Sequence, residues 1–262
     1  MEYETLSCER TEDGLMVVTL NRPELRNAVN TQMGKDLRSV FLPLRFTPGD
    51  LRCIVVTGAG DKAFSSGGDL KERRGMTEEA WRLQHAIFEE AFYAIMDCAV
   101  PVIAAVNGVA YAGGCELALA CDFIYAARNA RFALTEASLG IIPGAGGTQN
   151  LPRAVGERRA KELIMSATPF SAEQAYEWGM VNALCEPDAL MPTVLTVARR
   201  ICGNAPISVA QAKKAIHYGL QTDLKTGLML EVQAYEKVIP SEDRKEGIAA
   251  FNEKRPPRFT GR

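Results

Sequence analysis

The sequence predicts an α/β protein in which strand–strand–helix units give way to a helical tail. Three observations carry this. Leu51 to Thr57 is a continuous apolar run around Cys53-Ile54-Val55-Val56, as expected of a strand buried on both faces. The segment after Thr77 places Ile87, Phe88, Ala91, Phe92 and Ile95 at helical spacing. After Gly147 the strand pattern nearly stops.

Taken in order, Tyr3 to Arg10 and Leu15 to Leu20 read as a hairpin around Thr11-Glu12-Asp13-Gly14. Pro23 ends the second strand because it has no N–H to give a ladder. A helix is expected from about Thr31 to Phe46, and strands at Leu51 to Thr57 and Pro101 to Val106. Ala63 to Lys71 reads as a glycine-rich loop. Thr77 caps a long helix whose first turn holds Glu78 and Glu79, where the helix dipole favours negative charge. The Gly113-Gly114 turn leads into a short helix through Leu119, followed by strands at Asp122 to Ala127 and Arg131 to Leu134. In the helical tail, Ser171-Ala172-Glu173-Gln174 matches a capping box. Met180 to Leu184 reads as a short strand, and Val209, Ala212, Ile216 and Leu220 form one apolar stripe. No short repeat and no low-complexity linker divides the chain. The division expected is a core over 1–200 and a C-terminal helical region over 201–262.

Composition narrows the function classes. Lys and Arg number 30 against 32 Asp and Glu, a net charge of -2, which argues against general nucleic-acid or membrane-surface binding. A polyanionic ligand needs a local basic cluster; Arg26, Lys71, Arg73, Arg74, Lys254 and Arg255 are the candidates, though such residues are ordinarily solvated surface. Seven cysteines without a C-x-x-C pair, mostly in apolar runs, suit a reducing cytosol without disulfides or zinc. The acidic start Met1-Glu2-Tyr3-Glu4 lacks a signal core, so a cytoplasmic setting is expected, or a mitochondrial matrix if a presequence was removed. No apolar run approaches the ~18 residues of a membrane span.

The chemistry concentrates in Val109 to Ala118 and Leu134 to Gly144. Each places one glutamate, Glu116 or Glu136, beside glycines in apolar surroundings, and paired carboxylates suit general acid–base work. The competing reading is two surface charges on amphipathic helices. The turns Ser66-Gly67-Gly68-Asp69 and Ala112-Gly113-Gly114 each follow a strand and precede a helix. Backbone N–H groups there point outward unsatisfied, and two converging on one carbonyl oxygen make an oxyanion hole. The same residues also serve as ordinary tight turns, and glycines alone do not choose. Gly144-Ala145-Gly146-Gly147-Thr148 is similar to a dinucleotide loop, but the G-x-G-x-x-G spacing fails at Gln149, so a turn packed on helix starts is preferred. The only histidines are His85 and His217, and no G-x-S-x-G frames Ser65 or Ser66, so neither a serine triad nor a histidine-rich metal site is expected.

Together these motifs resemble the enoyl-CoA hydratase/isomerase (crotonase) superfamily over nearly the whole length. The resemblance runs through Leu20 to Pro23, Asn27-Ala28, Phe64 to Lys71, Ile103 to Gly108, Gly113 to Ala118, Cys121-Asp122, Leu139 to Gln149 and Glu246 to Arg255. The Leu70 to Arg73 and Lys254 to Phe259 segments are similar to its methylglutaconyl-CoA hydratase branch. The resemblance implies a spiral of strand–strand–helix turns with a C-terminal trimerisation region, assembled as a homotrimer or homohexamer. It implies an acyl-CoA thioester substrate, with coenzyme A as part of that substrate and no metal or other cofactor. By resemblance, the Gly68 and Gly113 N–H groups bind the thioester oxygen, Glu116 is base toward water at C3, Glu136 gives a proton to C2, and the Gly144 N–H orients the water. The CoA contacts it implies are Leu25, Arg26, Gly68, Asp69, Leu70, Lys71 and Gly113, with Phe251 and Lys254 reaching the CoA of a neighbouring subunit. Ala112 and Gly68 depart from the Gly and Ala the family often carries there; neither change removes an N–H, and both bear on acyl-pocket shape. Isomerisation needs one acid–base carboxylate, so the presence of both glutamates favours hydration. A non-enzymatic binding protein on the same scaffold is the further alternative.

Overall fold

In a computed structural model, which describes residues 3–262, ten strands form two sheets. Met1 and Glu2 of the acidic N-terminus lie outside the described residues. The hairpin β1 (Leu6–Arg10) and β2 (Leu15–Leu20) opens the larger sheet. A short turn at Pro23–Leu25 leads to α1 (Thr31–Leu44), β3 (Cys53–Gly58), β4 (Ala63–Ser65), α2 (Leu70–Arg73) and α3 (Glu78–Met96). Then come β5 (Val102–Val106), β6 (Val109–Tyr111), α4 (Gly113–Ala120), β7 (Phe123–Ala127) and β8 (Arg131–Ala133). A single helical turn at Glu136–Leu139 precedes α5 (Gly147–Val155), α6 (Glu157–Ser166), β9 (Phe170–Ser171), α7 (Ala172–Glu177) and β10 (Ala183–Cys185). After a turn at Pro187–Ala189, the chain ends in α8 (Leu190–Cys202), α9 (Pro206–Gly219), α10 (Leu224–Val238) and α11 (Glu242–Asn252).

The larger sheet has the order β1-β2-β3-β5-β7-β10, parallel from β2 onward, and the smaller has β4-β6-β8-β9. Successive strands β3 to β8 therefore alternate between the sheets. Each turn of the chain adds one parallel strand to each sheet, which is the expected strand–strand–helix spiral. Strand β3 shows why its Cys53–Val56 run is apolar. Ile54 and Val56 face the main core with Phe64, Phe92 and Phe132, while Cys53 and Val55 face Val194 and Ala198 of α8. Successive side chains alternate faces, so a strand covered on both sides favours apolar residues, and buried Thr57 is satisfied by donating to the Ala105 carbonyl at 2.9 Å.

Several expectations shift in detail. Strand β1 starts at Leu6 rather than Tyr3, because the Thr5 N–H and hydroxyl both donate to buried Asp36. The last strand begins at Ala183 rather than Met180, since the Met180 and Val181 N–H groups close the end of α7 on the Ala175 carbonyl. The glycine-rich loop contains strand β4, and two short strands, β6 and β9, lie where the sequence showed none. Thr77 caps α3, and the capping box at Ser171 forms in full. Six cysteines are buried and Cys8 is half-buried. No helix of the described residues is long and apolar enough to cross a membrane.

The C-terminal helices pack as a pair, α9 on α10. Lys213 anchors α9 to the core by donating to Asp122 at 2.7 Å and to the Val100 carbonyl at 3.0 Å. Ile216 and Leu220 of the expected stripe face solvent, as do Leu224, Leu228, Val232 and Tyr235 of α10.

Candidate active site

Two loops meet where the small sheet delivers its strands. After β4, the Ser66–Asp69 segment is clamped by the chain preceding α1. Ser66 N–H donates to the Arg26 carbonyl at 3.0 Å, Val29 N–H to Gly67 at 2.8 Å, and Asp69 N–H to Val29 at 3.0 Å. The Asp69 carboxylate caps α2 and pairs with Arg22 at 3.0 Å. Among the described residues, the Gly68 N–H finds no acceptor. After β6, Ala112 takes φ 48 and ψ -125, a backbone region that costs an alanine about 1–3 kcal/mol. That turn starts α4 at Gly113, whose N–H, in the first helical turn, has no helical partner. The next residue must be glycine, because a Cβ on Gly114 would lie 2.2 Å from the Ser65 carbonyl oxygen. This close approach sets the two loops side by side: a Cβ on Gly113 would lie 3.7 Å from the Gly68 nitrogen. Two unengaged N–H groups thus line one cavity.

Both glutamates enter the same cavity. Glu116, in the first turn of α4, is 4% exposed, and Glu136 is 5% exposed. Their environments differ. Glu116 Oε1 accepts N–H groups of Ala145 and Gly147, each at 2.8 Å. Burial raises its pKa, and those two donors oppose the rise by stabilising the carboxylate. Among the described residues, buried Glu136 Oε2 finds no hydrogen-bond partner. Burial, and then the charge of Glu116, push its pKa up to about 7. One carboxylate is thereby held ready to accept a proton and the other to hold one near neutral pH.

The cavity has a volume of about 230 Å³ and a largely apolar wall that includes Val29, Phe88, Phe92, Leu139 and Ile142. Arg73, Trp81 and His85 complete it. A larger hollow of about 880 Å³ lies between α11 and the C-terminal tail. It holds neither glutamate, and Glu246 and Arg255 in its wall bond each other.

The structure gathers Gly68, Leu70, Gly113, Glu116, Glu136 and Gly144 around this cavity. Leu25 and exposed Arg26 sit beside the Gly68 loop through the Ser66–Arg26 bond, and Lys71 is exposed on α2. Asp69 is present, but its carboxylate is turned into the fold by the cap and the Arg22 pair. Phe251, 84% exposed on α11, and Lys254 just after it do not line the cavity within one chain. Arg73, read from sequence as a surface cation for phosphate, instead faces the cavity over the Trp81 ring. The donors to Glu116 come from Ala145 and Gly147, while Gly144 packs against His85. The sequence drew attention to the Gly144–Thr148 loop and to His85 without assigning Ala145, Gly147 or His85 a place here, and it did not point to Trp81. Backbone donors carry no residue signature, and Trp81 and His85 stand one turn apart on a helix whose signal was its core-facing stripe.

Known proteins share this arrangement of chain. A family model described as "Enoyl-CoA hydratase/isomerase" matches residues 10–262. A short-chain-enoyl-CoA hydratase of Clostridium acetobutylicum is 40% identical over 255 residues, covering 97% of each chain. The mitochondrial methylglutaconyl-CoA hydratase of Homo sapiens is 38% identical over 257 residues, covering 97% of this chain and 76% of that protein. The crystal structure of an enoyl-CoA hydratase from Bacillus anthracis superposes with a TM-score of 0.96 at 42% identity, over 99% of this chain and 100% of that one. With its spiral, its paired loops and these relatives, the chain is an enzyme of the enoyl-CoA hydratase/isomerase family and has the crotonase fold.

Proposed function

We propose that this enzyme adds water across the C2–C3 double bond of a short-chain or branched 2-enoyl-CoA, a class that includes 3-methylglutaconyl-CoA. The observation that carries the reading is the pairing of two buried glutamates of unlike environment with two unengaged N–H groups in one small cavity. An enoyl thioester is a weak electrophile until its carbonyl is polarised. The Gly68 and Gly113 N–H groups supply that polarisation, and losing one such donor typically costs about 2.7–4 kcal/mol of transition-state stabilisation. The Glu116 carboxylate takes a proton from water as the oxygen bonds to C3. The electron pair of the double bond moves to the thioester as an enolate. Glu136 then delivers its proton to C2, and proton exchange restores both glutamates. The sum is addition of H and OH, with no change of oxidation state. The chemistry requires neither metal nor redox cofactor, and coenzyme A enters with the substrate.

Leu25, Arg26 and the Gly68–Lys71 loop hold the CoA in this scheme, with Asp69 acting through its backbone. The apolar outer face of α9 and α10 is the surface for a homotrimer or a dimer of trimers. In that assembly Phe251 and Lys254 reach a neighbour's CoA, which accounts for their distance from their own cavity. Retention of both carboxylates favours hydration over isomerisation, which needs one. The test is a panel of 2-enoyl-CoA thioesters followed by loss of the enoyl absorbance, with the product identified by mass. Formation of 3-hydroxyacyl-CoA is expected. Migration of the double bond without gain of water, across the panel, would overturn the reading in favour of an isomerase.

A further inference from the structure

The cavity carries a cation that hydration of a simple acyl chain does not use. Arg73 is the last residue of α2, and its Nε donates to Gln84 Oε1 at 2.8 Å. Gln84 is buried and is itself held by donating to Thr31 Oγ1 and Glu72 Oε2, each at 2.8 Å. The guanidinium lies 4.4 Å from the Trp81 ring centroid and 5.6 Å from that of Phe88. It is therefore fixed along one edge and packed against two rings. Its remaining nitrogens lie beside the oxyanion loop: a Cβ on Gly68 would stand 3.3 Å from the guanidinium carbon and 3.4 Å from Nη1. Glycine at 68, rather than alanine, leaves room for it there.

Among the described residues, Arg73 makes no ion pair. Burial lowers its pKa, the nearby charges of Glu72, Glu136 and Glu116 oppose that, and the guanidinium stays protonated. Those carboxylates offset the burial of the charge only from a distance. Neither catalytic glutamate relieves it by direct contact. An anion entering with the substrate would.

We infer that Arg73 is the receptor for a carboxylate at the far end of the acyl group, so the preferred substrate class is a short 2-enoyl-CoA whose acyl chain ends in a second carboxylate. The inference rests on the hydratase reading and deepens it. Because the guanidinium adjoins the residue that binds the thioester oxygen, that carboxylate lies only a few bonds from the carbonyl. The competing role is a general one, in which Arg73 shifts the two glutamates electrostatically. That role changes all substrates alike, so a ratio of substrates separates the two.

The matched pair is glutaconyl-CoA and trans-2-pentenoyl-CoA, which differ by a terminal carboxylate in place of a methyl group. Wild-type kcat/KM should favour glutaconyl-CoA by about 10- to 100-fold, the range for a charge-assisted bidentate contact. Arg73→Met should bring that ratio to one or below, and Arg73→Lys should retain part of it. The saturated pair, glutaryl-CoA and pentanoyl-CoA, should show the same order in Kd by calorimetry on the wild-type protein, which needs neither turnover nor a folded variant. A wild-type ratio near one in either pair would overturn the inference. So would a ratio that Arg73→Met leaves unchanged while both rates fall together. If neither enoyl thioester gains water, the hydratase reading fails, while the saturated pair still decides the role of Arg73.

Discussion

Glu136 links stability to chemistry at a single residue. Its folded-state pKa, about 7, stands above the ordinary value of 4.5, so the folded protein holds this proton more tightly than the unfolded chain does. The stabilising contribution is full below the ordinary value and is lost as pH rises through about 7. Glu136→Gln, always neutral, should therefore gain on wild type by about 1–3 kcal/mol between pH ~5 and pH ~8, read as a widening difference in Tm. A constant difference would contradict the burial argument. The same proton sets the rate profile. Activity should fall on the alkaline side near pH ~7 as Glu136 ionises and on the acid side as Glu116 protonates, the two apparent values belonging to the pair. Both glutamates were legible in the sequence, because a charged residue inside a glycine- and alanine-rich run has few structural reasons to be there. Arg73 was visible as a cation, but its direction was not: it follows from Trp81 and Gln84 on another helix, a tertiary fact.

At the scale of elements, the site depends on how closely α4 meets β4. Alanine ordinarily stabilises a helix over glycine by about 1 kcal/mol. Gly114→Ala should do the reverse, because its Cβ would meet the Ser65 carbonyl at 2.2 Å and neither backbone can yield without moving a loop. We expect a loss of about 2 kcal/mol or more in denaturant unfolding, of the kind overpacking produces, with a drop in kcat because Gly113 and Glu116 ride on the same helix. Gly113→Ala, whose Cβ meets nothing closer than 3.7 Å, should fold as wild type and serve as the control. Equal stability of Gly114→Ala and wild type would show that the approach is looser than described. Long apolar runs and capping residues made β3, β5 and α3 readable from sequence. The three-residue β6 and two-residue β9 were not, since such short segments have no periodicity to read and are strands only because β4 and β8 flank the first and β8 lies beside the second. The stripe on α9 was readable, but its outward direction was not, because period alone does not say which side is solvent.

On the scale of the whole molecule, α9 and α10 leave an apolar face exposed, and if the proposed assembly covers it, light scattering should give a mass of three or six chains. A monomer at micromolar concentration would contradict the assembly. Arg26→Ala and Lys254→Ala should raise KM for an enoyl-CoA several-fold with little change in kcat, an effect weakened by salt, and should barely affect a pantetheine thioester that lacks the adenosine phosphates. Equal losses on both substrates would assign these residues to the fold instead. The central claim is that two glutamates divide the proton work of hydration, and its most direct test is kcat for crotonyl-CoA in Glu116→Gln and Glu136→Gln, each confirmed folded by circular dichroism. Each variant should lose at least ~10²-fold. Turnover near wild type in either folded variant would contradict it.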